Sequence, residues 1–306
     1  MNKSLQFDPN NTVLCLYHND PDGQCSAAIV RRKYGKEVAL KAMDYGMDIP
    51  WEEIEAADVV IIVDFSLHLD EMQRVLASAN LIWIDHHKTA LEALGELDVP
   101  GLRALDRAGC MLTWQTFFPE EPMPRAVRYV GERDIWTFEH EDTKPFCEGL
   151  YQLSSHPAND SLWTPLLDDE DEFVNQIVKD GALLHRSRML TIRRQVRGYG
   201  YEINFEGYRT LAVNVRGTGE LGEFIRTQGY TIGYAYIQTR LNGTLTTSVT
   251  LYSDQIDVSD IARRFGGGGH PGAAGFSFAS KGFPFPDGAK VEWAGEDVTE
   301  RADDNA

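Results

Sequence analysis

Three short runs of apolar, largely β-branched residues, at 13–17, 59–63 and 81–84, constrain this chain more than any other feature. Runs of that length and composition form buried strands, and strands apolar on both faces belong to a parallel sheet covered by helices on each side. Each run opens onto polar residues: His18-Asn19-Asp20-Pro21-Asp22-Gly23 after the first, Asp64 after the second, Asp85-His86-His87 after the third. Ligands of an open parallel sheet bind beyond the carboxyl ends of its strands. Three strands therefore bring carboxylates and imidazoles to one edge. A lone aspartate after a strand is ordinary turn or cap chemistry, and a lone histidine an ordinary polar group. The combination is not ordinary, because Asp20 and Asp22 repel each other unless a cation lies between them. Carboxylates mixed with imidazoles suit a divalent ion with six oxygen and nitrogen ligands, manganese or magnesium ahead of zinc. The expected use of such ions is phosphate chemistry.

The 306 residues leave room for one large or two ordinary domains, and 42% hydrophobic with 25% charged residues describes a soluble globular protein. The start carries no basic region followed by an apolar stretch, and no apolar run approaches membrane length, so the cytoplasm is the expected location. Cys15, Cys25, Cys110 and Cys147 form no C-x-x-C pair and read as buried thiols in a reducing compartment. A net charge of −18 disfavours long nucleic acid, which is held by phosphate neutralisation. A short oligonucleotide, a dinucleotide or another small phosphorylated substrate is the expected partner, with a homo-oligomer left open.

Strands are expected at 13–17, 38–43, 59–63, 81–84 and 102–105, with helices at 23–34, 68–79, 109–118 and 125–133. That alternation predicts a parallel sheet with helices on both faces. The acidic run from Asp168 to Glu172 and the arginines 186, 188, 193, 194 and 197 bracket an apolar helical pattern, a charge order that the helix dipole favours. A long helix over 168–198 is expected to link two domains. Strand patterning follows at 201–205, 209–215, 230–239 and 244–251, with 217–222 and Asn242-Gly243 as turns and a helix at 258–265 capped by Asp257. The fold expected is α/β: a metal-binding catalytic domain at 1–167, the linker helix at 168–198, and a smaller α/β substrate-binding domain with a mixed sheet at 199–306. The acidic tail beyond Asp287 is expected to fray.

Gly266-Gly267-Gly268-Gly269-His270 precedes Pro271-Gly272-Ala273-Ala274-Gly275. Without Cβ atoms such a run can turn several amides into one concavity, a nest for anions, and His270 can add a hydrogen bond or a charge. A flexible linker is the plain alternative, but the small residues that follow favour close packing.

With these residues in place, the chain resembles the DHH phosphoesterase superfamily, in particular members with a C-terminal DHH-associated domain, over nearly its whole length. Residues 18–23 resemble the first family motif, Asp64 the second, Asp85-His86-His87 the naming motif, Asp134 the fourth, and 266–275 the loop of the associated domain. The resemblance implies two manganese ions, with magnesium as the alternative. His18 and Asp20 would hold one, Asp22, His86 and Asp134 the other, and Asp64 would bridge them. It implies that His87 contacts the substrate phosphate, and that Gly267, Gly268, Gly269 and His270 bind the far end. Where relatives that process short RNA carry an arginine before a serine, this chain has Tyr252 before Ser253, which could stack on a base but not form a phosphate fork. The implied reaction is two-metal, in-line attack of water on phosphorus that cuts short oligonucleotides or linear dinucleotides to mononucleotides, with Asp64 and His87 at its centre. Hydrolysis of polyphosphate, pyrophosphate or a nucleoside bisphosphate is the alternative, and a non-catalytic metal and nucleotide sensor is a reading of another class.

Overall fold

The computed structural model describes residues 8, 10–241, 243–280 and 284–293. Asn242 of the expected turn and the tail beyond 293 lie outside the described residues. The chain forms two compact units, Met1–His185 and Arg186–Ala306.

In the first unit β1 (Val13–His18), β2 (Ala39–Met43), β3 (Val59–Val63) and β4 (Asn80–Ile84) form a parallel sheet in the order β2-β1-β3-β4. Its helices are α1 (Pro21–Tyr34), α2 (Trp51–Ala56), α3 (Leu69–Ser78), α4 (Lys88–Leu94), α5 (Gly109–Phe117), α6 (Arg125–Asp134), α7 (Thr143–Leu150) and α8 (Asp160–Leu167). Strand side chains alternate between faces. Cys15, Tyr17, Ile61, Val63, Ile82 and Ile84 pack under α1 and α5 to α8. Leu14, Leu16, Val60, Ile62, Leu81 and Trp83 pack under α2 to α4. All five residues of β3 are buried, which is why its run contains no polar residue. The strand order reverses between β1 and β3, so the switch point of the sheet opens between His18 and Asp64.

The strand expected at 102–105 is absent. Arg103 makes only an isolated bridge with Asp85, and Leu102 and Leu105 are exposed. The Arg103 guanidinium donates to the carbonyls of Trp83 (2.9 Å) and Val99 (3.1 Å), which ties the segment to β4 as a loop.

A 29-residue helix, α9 (Asp171–Tyr199), begins with Asp171 and Glu172, carries Arg197 in its last turn, and contains the division between the units. The second unit continues with β5 (Gly200–Phe205), β6 (Tyr208–Val213), α10 (Gly219–Thr227), β7 (Ile232–Leu241), β8 (Thr244–Tyr252), α11 (Val258–Arg264), β9 (Gly268–His270), β10 (Ala273–Ala279) and β11 (Val291–Trp293). Its sheet runs β11-β5-β6-β7-β8-β10-β9 and is mixed, with β6 and β7 parallel and the other pairs antiparallel. Residues 217–222 are not the expected turn. The Thr218 hydroxyl accepts from the Leu221 amide (3.2 Å) and starts α10, whose Leu221 and Ile225 enter the core. Asp257 caps α11 as expected, accepting from the Ser259 amide at 2.9 Å.

Candidate metal centre

The turn from β1 into α1 places the first acidic pair. Asp20 caps α1, accepting from the Gly23 amide (2.9 Å) on one oxygen and meeting His18 Nδ1 (2.7 Å) with the other. A Cβ on Gly23 would lie 2.0 Å from the His18 carbonyl oxygen, so the tightness of this turn requires glycine. Asp22 is 1% exposed, and the first two amides of α5 hold its carboxylate: Gly109 N to Oδ2 at 2.7 Å and Cys110 N to Oδ1 at 2.9 Å. An anionic group at a helix N-terminus is favoured by the free amides and the dipole. It also leaves Asp22 with no freedom to turn away.

Asp64, after β3, lies at the middle of the group. Its φ is +53°, a left-handed conformation that is uncommon outside glycine and clusters at functional sites. The Asp64 amide donates to the Ile84 carbonyl (2.9 Å), which fixes that conformation against β4. Its Oδ1 lies 3.1 Å from His86 Nε2, and its buried Oδ2 has no hydrogen-bond partner and lies 3.8 Å from His18 Nδ1. His86 Nε2 is also 3.3 Å from Asp134 Oδ2 and 3.8 Å from Asp22 Oδ2. Donor atoms of His18, Asp20 and Asp64 therefore fall together, as do those of Asp22, His86 and Asp134, and those of Asp64, His86 and His87.

Asp85 is fully buried and points elsewhere. Its Oδ1 accepts from the amides of His86 (2.7 Å) and His87 (3.1 Å) and from His87 Nδ1 (2.8 Å). This bond fixes the His87 tautomer, with Nδ1 donating and Nε2 free. His87 is one-third exposed, and its pKa is raised by the Asp85 hydrogen bond.

The electrostatics test whether these residues fit divalent metal. Burial pushes the Asp64 carboxyl well above the usual carboxylate range, and the charges of Asp22, Asp20, Asp134 and Asp85 push it further. Asp134 is pushed up to about 8 by desolvation and by Asp22 and Asp20. Against the upward push of burial, hydrogen bonds from His18 and Gly23 hold Asp20 below its usual range. Burial lowers His86, which favours the neutral imidazole that a metal requires. Carboxylates that raise one another's pKa, around a buried acceptor with no partner, are the environment a cation relieves. The donor set fits hard divalent ions.

The second unit treats its expected residues differently. Gly266 and Gly267 donate their amides to the carbonyls of Arg263 (3.1 Å) and Ala262 (2.9 Å), closing α11. Gly268, Gly269 and His270 form β9 against β10. Only Gly266 and Gly269 have positive φ, so the run is a helix exit and a hairpin strand rather than a nest of convergent amides. Its glycines answer to packing: a Cβ would meet the Gly275 oxygen at 2.0 Å from Gly267, and Ala274 Cα at 2.6 Å from Gly269. His270 is exposed at the end of β9. Tyr252, expected to offer a face for stacking, is 5% exposed, with Gly222 and Gly217 against its ring and hydroxyl. A ring enclosed in that way has no face for a base.

Two contributors escape the sequence. Gly109 clears space for the site, since a Cβ there would lie 2.7 Å from Asp64 Cβ and 2.9 Å from Asp22 Oδ2. Asp85 orients His87 instead of joining the carboxylates of the centre. A glycine opening an apolar helix was the only available signal for the first, and two histidine neighbours for the second.

No family model matches the chain. It is 27% identical over 300 residues to the uncharacterized protein R106 of Acanthamoeba polyphaga mimivirus, spanning 90% of this chain and 70% of that protein. It is 25% identical over 302 residues to oligoribonuclease NrnB of Bacillus subtilis, spanning 86% and 72%. Among solved structures, the DHH domain of a member of the s1p family of ribosomal proteins matches with a TM-score of 0.56 at 12% identity, covering 87% of this chain and 82% of that one. The pGpG-specific phosphodiesterase PggH from Vibrio cholerae matches with a TM-score of 0.52 at 13% identity, covering 88% and 93%. With an Asp-His-His sequence at the end of β4 and the acidic residues that follow β1 and β3 beside it, the chain shares the fold of the DHH domain of the s1p family member and of the pGpG-specific phosphodiesterase.

Proposed function

We propose that the protein is a metal-dependent phosphoesterase that hydrolyses short oligonucleotides or linear dinucleotides to mononucleotides. The observation that carries the reading is that His18 and Asp20 gather with Asp64, whose buried Oδ2 has no hydrogen-bond partner, while Asp22 and Asp134 gather with His86, whose Nε2 meets Asp64 Oδ1. His18 and Asp20 would hold one ion, Asp22, His86 and Asp134 a second, and Asp64 would bridge. When bound, a pair of divalent ions, manganese or magnesium by this donor set, supplies a water of lowered pKa and neutralises charge on the phosphoryl oxygens.

The chain's own residues do the rest. The α5 amides and the Asp64 backbone hold the acidic groups in place before substrate arrives, so no reorganisation is needed at the reaction. His87, with Nδ1 on Asp85, directs Nε2 to a phosphoryl oxygen or to the leaving oxygen, and its raised pKa keeps it a donor. Residues 1–167 act as the catalytic domain and 199–306 as the substrate-binding domain, in which exposed His270 meets a substrate phosphate. The names of the oligoribonuclease and of the pGpG phosphodiesterase support the choice of short RNA among phosphate esters. The net charge of −18 supports short substrates over long polyanions.

The test is manganese-dependent product release from a linear diadenylate, RNA of increasing length, a nucleoside bisphosphate, pyrophosphate and polyphosphate. Cleavage of the shortest nucleotides with a rate that falls with length is expected. Turnover of the phosphate polymers or bisphosphate alone overturns the substrate assignment.

A further inference from the structure

A cavity of about 390 Å³ opens within the first unit, between the segment after β2, the segment after β3, and α4. That volume falls in the range of small-molecule sites. Three large apolar residues that line it stand in the open: Tyr45 is 60% exposed, Met47 51% and Leu69 46%. Its aromatic wall leads to the metal centre. The Tyr45 and Phe65 rings lie 4.8 Å apart, and Phe65 stacks on His18 with centroids 6.3 Å apart and planes 13° from parallel. Asp44, also in the lining, places Oδ1 3.7 Å from His18 Nε2.

The chemistry of the lining excludes a phosphate. It includes Asp44 and Glu71 and neither lysine nor arginine, so an anion would be repelled. A flat neutral ring that carries N–H donors fits instead: aromatic and apolar side chains supply stacking, and carboxylates accept from amino groups. We propose that this cavity seats a nucleobase of the substrate, stacked on Tyr45 with its amino edge toward Asp44, while the attached phosphate lies at the metal centre. The inference rests on the nucleotide reading above. It makes the catalytic unit itself a reader of bases, and adenine, guanine or cytosine, which carry an amino group, the preferred occupants.

The test uses the full-length manganese-loaded protein, the variants Tyr45→Ala and Ala93→Trp, a linear diadenylate, and the two analogues in which one base is replaced by hydrogen. Ala93 is an exposed cavity residue of α4, so the larger side chain fills the cavity without entering the core. For the wild type, removing the base that the cavity holds should lower kcat/KM about tenfold or more. Both variants should lose a similar factor on the intact dinucleotide and little more on the matching analogue, because the contact is already gone. If variant and base removal multiply as independent losses, or the variants cleave the diadenylate as the wild type does, the cavity assignment is overturned and the phosphoesterase reading stands. If the wild type cleaves no dinucleotide, the substrate reading fails, and the cavity is judged by calorimetric binding of adenosine monophosphate against ribose 5-phosphate. A preference for the nucleotide that Tyr45→Ala reduces tenfold supports it. Equal binding of the two, or a preference indifferent to Tyr45→Ala, overturns it.

Discussion

Gly109→Ala should disable the centre from a position that bears no functional group. The added Cβ would sit 2.7 Å from Asp64 Cβ, 2.9 Å from Asp22 Oδ2 and 3.0 Å from Asp64 Oδ1, whereas ordinary contact begins near 3.4 Å. Something must retreat by about 0.7 Å. Asp64 has little room to do so, being 1% exposed, held at φ +53° and bonded through its amide to Ile84. Asp22 can retreat only by breaking its bonds to the two α5 amides. Overpacking of this kind costs roughly 1–3 kcal/mol, and a misplacement near 1 Å at a reacting centre about 10²-fold in rate. The expected result is a melting temperature about 2–12 °C lower, manganese affinity at least about tenfold weaker and kcat/KM down about 10²-fold. Calorimetric manganese titration and steady-state rates on a dinucleotide measure it. Gly198→Ala, where a Cβ meets nothing within 4 Å, is the control. A Gly109→Ala protein with wild-type affinity and turnover would refute the idea that this missing methyl group shapes the site.

Asp64→Asn should abolish nearly all turnover with melting behaviour retained; a full-rate variant with stoichiometric metal would remove Asp64 from the bridging position. Asp85→Asn should lower kcat roughly 10–100-fold at unchanged metal stoichiometry and move the alkaline limb of the pH profile to lower pH, because His87 loses the carboxylate that raises its pKa and keeps it protonated; an unaltered profile would show that Asp85 is merely structural. The raised pKa of Asp134 means that the folded, metal-free protein binds more protons than the unfolded chain between 3.8 and about 8. Its stability should fall as pH rises through that window, and the stabilisation by manganese should grow. Melts at pH 5 and pH 8, with and without metal, read both, and a metal effect independent of pH would contradict the electrostatic account. Tyr252→Ala should cost about 3–5 kcal/mol as an emptied core position, while Tyr252→Phe keeps the ring and any base preference; a changed base preference in the Phe variant would return Tyr252 to the substrate.

What the sequence made legible follows from how local each cause is. His18, Asp20, Asp64 and His86 could be read because strand-forming runs deliver them to one edge, and the period of a buried strand is written in consecutive residues. Asp134 could not be read in this way, since it arrives at the end of α6 and nothing in its neighbours marks it. Gly109 was invisible because its role is an absence, felt by a residue 87 positions earlier. The glycine run misled for a related reason. Freedom at φ and room for a neighbouring strand both demand glycine, and here packing against Gly275 and Ala274 accounts for Gly267 and Gly269. Thr218 shows the same ambiguity in small form, as a turn residue that caps a helix.

Asp64 gathers several costs that a fold does not ordinarily accumulate at one residue. A left-handed conformation outside glycine costs on the order of 1–3 kcal/mol, and a buried acceptor without a partner about 1–3 more, before the repulsion of the neighbouring carboxylates Asp22, Asp20, Asp134 and Asp85. Each cost has a device that sustains it. The Ile84 carbonyl fixes the backbone, the absent Gly109 side chain leaves room, and the α5 amides hold Asp22 close despite the repulsion. None of those devices lowers the repulsion itself, and all of them keep the carboxylates from separating to lower it. A site built to stabilise only the chain would let Asp22 and Asp64 part. One that holds them together is arranged for positive charge to arrive, and the rigidity that makes the metal-free centre unfavourable is the strain that a bound divalent ion would relieve.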